Sequence, residues 1–181
     1  MQNRVNIGSM RAIAGILLAV LSGTAGPVVV RDVNGVAVTL LAPARGQTDL
    51  LFFVTADCPI SNRYAPEITR ICADYQARGV RCTLVYTDRT LTPSAIAAHR
   101  TDLSLAPNAT AVIDDGTLTN AVDATVTPEA VIYTAAGRAY RGRIDNLYLD
   151  VGRARRAATI HDVRNALDAI GRGAPVRLPE T

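Results

Sequence analysis

Apolar residues in this chain fall into short runs, separated by polar turns and by stretches with helical periodicity, a pattern typical of an α/β domain. Seven runs rich in β-branched or other apolar residues predict strands, at residues 28–33, 36–40, 50–54, 80–87, 111–113, 130–133 and 138–144. The run at 50–54 is continuously apolar, which indicates a strand buried on both faces of a parallel or mixed sheet.

Turn residues join two pairs of these strands into hairpins. Asn34 and Gly35 are a two-residue hairpin signal between the first two strands, because both residues tolerate positive φ. Ala136 and Gly137 predict a second hairpin between the last two strands. The order of elements predicts an α/β sandwich, with a mixed central β-sheet flanked by helices and an N-terminal β-hairpin.

Three helices are predicted from their caps and their periodicity. The first follows Cys58 and is ended by Gly79, and the second is short and opens at Thr92, which is followed by proline. The third follows a variant of the capping box at residues 159–162 and ends at Gly171. The apolar faces of the first and third helices are formed by Ile68, Ile71, Cys72 and Tyr75, and by Val163, Ala166, Leu167 and Ile170.

The N-terminal residues have the features of a secretion signal. Arg4 and Arg11 provide positive charge, and residues 12–21 form an apolar run that is short for a bilayer span. We therefore predict an exported protein, periplasmic or secreted, with a membrane tether only if the signal is not cleaved. The predicted divisions are a signal peptide at residues 1–25, one domain at 28–172 and a C-terminal tail at 173–181.

Composition and charge narrow the functional classes. Apolar residues make up 49% of the 181 residues, which is enough for a folded core. The net charge of +3 includes the two leader arginines, and no long basic face accompanies it, so nucleic acid is not predicted as a partner. His99 and His161 lie near predicted helix ends and are interpreted as surface or cap residues, so neither a metal site nor a cofactor is predicted.

The chain has three cysteines, an odd number that in an exported protein indicates one free thiol or an intermolecular partner. Cys72 lies on the apolar face of the first helix, and Cys82 lies in the next strand. The two residues are either two buried free thiols or a disulfide that closes a short loop. Cys58 and Cys72 are about 20 Å apart along one helix, so they cannot pair.

Cys58 has the setting of a reactive thiol. The apolar strand ends at Val54, residues 55–57 turn the chain, and Pro59 begins the helix. Unpaired backbone N–H groups at a helix N-terminus stabilise a thiolate and lower the pKa of the thiol. We therefore interpret Cys58 as the candidate nucleophile.

The residues around Cys58 resemble those of thioredoxin-like proteins. The stretch from Cys58 to Ser61 is similar to a C-x-x-C site in which Ser61 replaces the second cysteine, and Pro66 stands where thioredoxins have a helix proline. Residues 127–132 resemble the V-P-E-T-F-L-I segment of extracytoplasmic thioredoxins of the cytochrome-maturation type. Over residues 28–144, the resemblance implies the thioredoxin fold, with a cis peptide bond at Pro128.

The same resemblance implies a reaction and its participants. Cys58 would attack a protein disulfide or an oxidised thiol, Ser61 would stabilise the thiolate, and Thr127 and Pro128 would dock the substrate backbone. A serine cannot resolve a mixed disulfide, so the expected enzyme is a monothiol oxidoreductase. Asp57 stands where thioredoxins usually have tryptophan, and its charge should oppose thiolate formation.

Two alternatives remain open. Thr55 and Cys58 match the T-x-x-C signature of peroxiredoxins, which implies a thiol peroxidase with a small peroxide or thiol as substrate. The arginine of that family would fall near Thr127, so Arg141 or Arg143 would have to replace it. The other alternative is a binding module without catalysis. Residues 57–64 and 142–146 also resemble stretches of bacterial redoxin-domain proteins.

Overall fold

The computed structural model describes residues 26–150 and 152–181, so the predicted signal peptide lies outside the described residues. In chain order the elements are β1 (Val28–Arg31), β2 (Ala37–Leu40), β3 (Thr48–Val54), α1 (Pro59–Gln76), β4 (Val80–Tyr86), α2 (Pro93–Asp102), β5 (Thr110–Ile113), α3 (Thr117–Val122), β6 (Glu129–Thr134), β7 (Gly137–Gly142), β8 (Tyr148–Asp150), β9 (Arg153–Ala154) and α4 (Asp162–Gly171). None of the helices in this described part is both long and apolar enough to cross a membrane.

The central sheet has five strands in the order β5-β4-β3-β6-β7. The strands β3, β4 and β5 are parallel, whereas β6 runs antiparallel to β3, and β7 runs antiparallel to β6. The hairpins β1-β2 and β8-β9 form separate two-stranded sheets. The predicted α/β architecture with a mixed central sheet and an N-terminal hairpin is confirmed.

The central strand β3 divides the core into two layers. Leu50, Phe52 and Val54 face the layer that contains α1 and α4, and Leu51 and Phe53 face the layer that contains α3 and the end of β2. Since successive side chains of a strand point to opposite faces, burial on both sides requires the continuous apolar run. All seven residues of β3 are buried.

The first hairpin is longer than the two-residue turn that Asn34 and Gly35 predict. Asp32 N–H donates to the carbonyl of Val36, so that residues 33–35 form a three-residue loop. Gly35 has a φ of +81°, as the last residue of such a loop requires. The carboxylate of Asp32 accepts the N–H groups of Asn34 and Val36 and stabilises this loop.

The start of α4 also differs from the prediction. His161 is the N-cap residue and makes no side-chain cap bond, so Thr159 does not act as the cap that the predicted capping box requires. Asn146 instead binds Thr159, because its side chain accepts the Thr159 N–H and donates to the Thr159 hydroxyl.

A disulfide joins Cys72 of α1 to Cys82 of β4, with a Cα–Cα distance of 5.8 Å. Of the two possibilities that the sequence leaves open, the structure therefore has the bonded pair. Within residues 26–150 and 152–181, Cys58 is the free cysteine.

The last residues of the chain lie against the edge strand β7. The N–H of Arg141 donates to Pro179 O at 2.8 Å, and Thr181 N–H donates to Arg141 O at 3.2 Å. Part of the predicted C-terminal tail thus covers an edge of the sheet that would otherwise present unpaired backbone groups.

Candidate functional site

Cys58 lies where the central strand passes into the first helix. It is the N-cap residue of α1, with extended backbone dihedrals, and Pro59 occupies the first helical turn. The backbone N–H of Ser61 donates to Cys58 Sγ at 3.4 Å. The sulfur therefore occupies the place where a serine or aspartate oxygen normally caps a helix.

The loop before β6 approaches the same sulfur from the other side. Cys58 Sγ lies 3.8 Å from Thr127 O, to which the thiol donates. The peptide bond between Thr127 and Pro128 is cis. Because β6 is the antiparallel neighbour of β3, the start of β6 lies beside the end of β3, and Thr127 reaches Cys58.

The surroundings of Cys58 favour the thiolate. Partial burial raises the pKa of the thiol, but hydrogen bonding by Ser61, Ile60 and Thr127 lowers it, and the net direction is below the ordinary value of 9.0. The net pKa is thus lowered even though Asp57, whose charge was expected to oppose the thiolate, directly precedes Cys58. A half-buried thiol with a lowered pKa is the form in which cysteine acts as a nucleophile.

Ser61 carries a buried hydroxyl beside this thiol. The residue is 3% exposed, and its Oγ has no hydrogen-bond partner in the described part of the chain. The Ser61 side chain is nevertheless one of the groups that lower the pKa of Cys58.

The residues that a peroxidase would need are arranged differently. Thr55 is half-buried in the turn before Cys58. Arg141 Nη1 donates to Asp123 O at 2.6 Å, and Arg143 Nε pairs with Asp162 Oδ2 at 2.7 Å. Both arginines that could replace the missing peroxidase cation are therefore bound to other groups.

Three residues outside the predicted site lie behind the turn. Asn62 Nδ2 donates to Ala56 O at 2.9 Å, and Asn62 Oδ1 lies 2.9 Å from His99 Nε2. The other ring nitrogen of His99 lies 3.0 Å from Tyr86 Oη. These side chains connect the turn to α2 and β4.

The two stretches with redoxin-like sequence meet beside α1. Tyr64 Oη donates to Asp145 Oδ1 at 2.6 Å, and Leu147 N–H donates to the same oxygen at 2.8 Å. Burial and the Asp145 carboxylate raise the pKa of Tyr64. The contact fixes the segment after β7 against the first helix.

In the described ranges, no group of three or more His, Cys, Asp or Glu residues is arranged to hold a metal ion.

Solved structures resemble this chain over most of its length, whereas no protein-family model and no curated protein matches it. An uncharacterised conserved protein from Geobacillus kaustophilus has a TM-score of 0.74 at 23% identity, over 88% of this chain and 86% of that one. A secreted disulfide oxidoreductase of Mycobacterium tuberculosis, homologous to E. coli DsbE, has a TM-score of 0.57 at 20% identity, over 78% and 95%. The chain has the thioredoxin fold.

Another structure with this fold is similar over nearly the same length. A hypothetical protein from Sinorhizobium meliloti has a TM-score of 0.72 at 21% identity, over 87% of this chain and 89% of that one. Within the thioredoxin fold of the present chain, Cys58 stands at the carboxyl end of the central strand, and the cis bond at Pro128 stands at the amino end of the neighbouring strand β6.

Proposed function

We propose that the protein is an extracytoplasmic thiol–disulfide oxidoreductase that acts through the single thiol of Cys58. The observation that carries the proposal is the geometry of Sγ, which accepts the N–H of Ser61, contacts Thr127 O and has a lowered pKa. The M. tuberculosis protein described as a disulfide oxidoreductase has the same fold, which supports this class of reaction.

The proposed reaction begins with thiolate attack on a substrate disulfide. Cys58 Sγ bonds to one substrate sulfur, the substrate S–S bond breaks, and the second substrate sulfur leaves as a thiolate that takes a proton from water. The Ser61 hydroxyl turns toward Sγ as the thiolate forms and donates to it. The Ser61 N–H already points at Sγ, so little rearrangement is needed.

The mixed disulfide requires an external thiol for its release. Ser61 has no sulfur with which to attack, and the other two cysteines are bonded to each other. A second thiolate therefore attacks the substrate sulfur of the mixed disulfide, forms a new disulfide with it and releases Cys58 as a thiolate. The net reaction is an exchange between one disulfide and one thiol. Thr127 and Pro128 would hold the substrate backbone beside Sγ.

Export is part of the proposal. The leader has the charge and apolar run of a signal peptide, and the Cys72–Cys82 disulfide fits a compartment outside the reducing cytoplasm. The neighbour from M. tuberculosis is described as secreted.

The proposal is tested by trapping the mixed disulfide. The folded protein is incubated with oxidised glutathione and its intact mass is measured. One glutathione per chain is expected, bound at Cys58 and removed by added thiol, whereas the Cys58→Ser variant should gain none. A Ser61→Cys variant should release the adduct by itself and reduce insulin disulfides. If the wild-type protein gains no adduct at any pH between 6 and 9, the proposal is wrong and the non-catalytic binding module is favoured.

A further inference from the structure

A chain of hydrogen bonds runs from the core strand β4 to the turn that carries Cys58. It connects Tyr86 Oη to His99 Nδ1 at 3.0 Å, His99 Nε2 to Asn62 Oδ1 at 2.9 Å, and Asn62 Nδ2 to Ala56 O at 2.9 Å. Ala56 precedes Cys58 by two residues. Tyr86 is fully buried, so the chain is anchored in the core at one end and reaches the reactive turn at the other.

The protons of this chain have one consistent arrangement. Ala56 O can only accept, so the amide nitrogen of Asn62 faces it and the amide oxygen faces His99. That oxygen also only accepts, so Nε2 of His99 carries a hydrogen. In the neutral ring Nδ1 then accepts from the Tyr86 hydroxyl, which stays protonated because burial raises the pKa of Tyr86 to about 12.

The surroundings of His99 lower the pKa of its ring below the ordinary value and so favour the neutral form. Partial burial lowers the pKa of His99, whereas the charge of Asp102 on α2 opposes this effect. Tyr86 faces the ring from β4, and the charge of Arg100 on α2 partly offsets the raised pKa of the Tyr86 hydroxyl. Uncharged Asn62 faces the ring from α1. Protonation of Nδ1 would leave the Nε2–H in place, so the bond to Asn62 is available in both states of the ring.

Asn62 fastens the turn at two points. Its side chain holds Ala56 O, and its backbone N–H donates to Cys58 O at 3.0 Å. These two carbonyls flank Asp57, and the next N–H toward the N-terminus of α1 is that of Ser61, which donates to Sγ. The orientation of the Asn62 side chain therefore affects the position of the turn, and with it the hydrogen bond from the Ser61 N–H to Cys58 Sγ.

We propose that His99 is a positioning residue for Cys58, which acts by fixing the amide of Asn62 and thereby the turn that directs Sγ toward the Ser61 N–H. The inference rests on the proposed function only in that Cys58 is the reactive group. It concerns how readily the thiol ionises, which is measured without any disulfide substrate.

The experiment is the pH profile of alkylation of Cys58 by iodoacetamide. Cys72 and Cys82 are blocked by their disulfide, and the Cys58→Ser variant gives the background. His99→Ala and Asn62→Ala should each move the profile to higher pH and lower the rate at pH 7 by about threefold to tenfold, because a hydrogen bond to the thiolate is weakened. The double variant should match either single variant, since both act through one path.

Two further variants separate positioning from packing and from charge. His99→Gln keeps an amide N–H that can reach Asn62 Oδ1 but cannot become charged, so it should restore most of the wild-type rate. His161→Ala removes the other histidine, which makes no side-chain cap bond, and should leave the profile unchanged. Thermal unfolding of each variant establishes that it is folded.

Some results would overturn the inference. If folded Asn62→Ala or His99→Ala keeps the wild-type profile, or if the two effects add, His99 does not act through Asn62. If His99→Ala does not fold, Asn62→Ala and His99→Gln decide the question. The wild-type protein could form no mixed disulfide while the His99 variants still shift the pH profile of alkylation. That result would reject the proposed function and leave this inference standing.

Discussion

Replacing Ser61 by alanine should change stability and reactivity in opposite directions. The hydroxyl is buried, with 3% of the residue exposed, and it has no hydrogen-bond partner among the described residues. An unsatisfied buried polar atom costs about 1–3 kcal/mol, and alanine removes only that atom. We therefore expect Ser61→Ala to raise the free energy of unfolding by about 1 kcal/mol, at the low end because a small void remains.

The same substitution should make Cys58 a weaker nucleophile. The Ser61 hydroxyl contributes to the lowered pKa of the thiol, and the backbone N–H that donates to Sγ is kept in alanine. The pKa of Cys58 should therefore rise, and alkylation near neutral pH should slow because less thiolate is present. Site residues often have this combination of a local stability cost and a functional gain.

Urea unfolding followed by circular dichroism measures the first effect, and alkylation rates measure the second. Ser94→Ala is a matched control, because Ser94 is exposed and its hydroxyl is hydrogen-bonded to the exposed hydroxyl of Thr92. It should change stability by less than about 0.5 kcal/mol. A loss of 1 kcal/mol or more in Ser61→Ala would mean that the hydroxyl has a partner in the folded protein, and an unchanged alkylation rate would refute its role toward the thiolate.

Three other outcomes follow from the structure. In a Cys58→Ser background, reducing the Cys72–Cys82 disulfide should lower the free energy of unfolding by about 2.7 kcal/mol, the chain-entropy value for a separation of 10 residues, and an unchanged urea midpoint would contradict this. Tyr64→Phe should cost about 2 kcal/mol in the same assay, because the buried Asp145 carboxylate loses its 2.6 Å donor; a change below 0.5 kcal/mol would contradict it. Because folding lowers the pKa of Cys58, the free energy of unfolding of the wild-type protein should rise relative to that of Cys58→Ser as pH rises through the folded pKa. The difference should level off above the ordinary value of 9.0 and disappear as pH falls. Stability curves that stay parallel over pH would contradict the lowered pKa.

The sequence was sufficient for the central sheet but not for every helix. The apolar run of β3 and the two hairpin signals predict the architecture, because they depend on local patterns. The short helix α3 was missed because only Leu118 and Val122 are buried in it and its N-cap Gly116 supplies no side-chain bond. The carboxylate of Asp114 instead accepts the N–H groups at its start, from two residues before the cap.

The candidate site was predictable where it is local and not where it depends on packing. Cys58 and Ser61 stand out because a helix begins beside a thiol, and Thr127 through its resemblance to thioredoxins. The role of His99 depends on how α2 packs against α1 and β4, which no spacing in the sequence reveals. The disulfide is a similar case, since only the packing of α1 on β4 brings Cys72 to Cys82.

The most direct test of the central claim compares two rates of Cys58 in one preparation at one pH. The rate with a small disulfide is measured against the rate with hydrogen peroxide, each relative to free cysteine. The lowered pKa of Cys58, and the contacts that hold Arg141 and Arg143 elsewhere, lead us to expect faster disulfide exchange than free cysteine shows, and a peroxide rate no greater than that of an ordinary thiolate. Peroxide consumption orders of magnitude faster than that of free cysteine, with slow disulfide exchange, would contradict the account and identify a peroxidase.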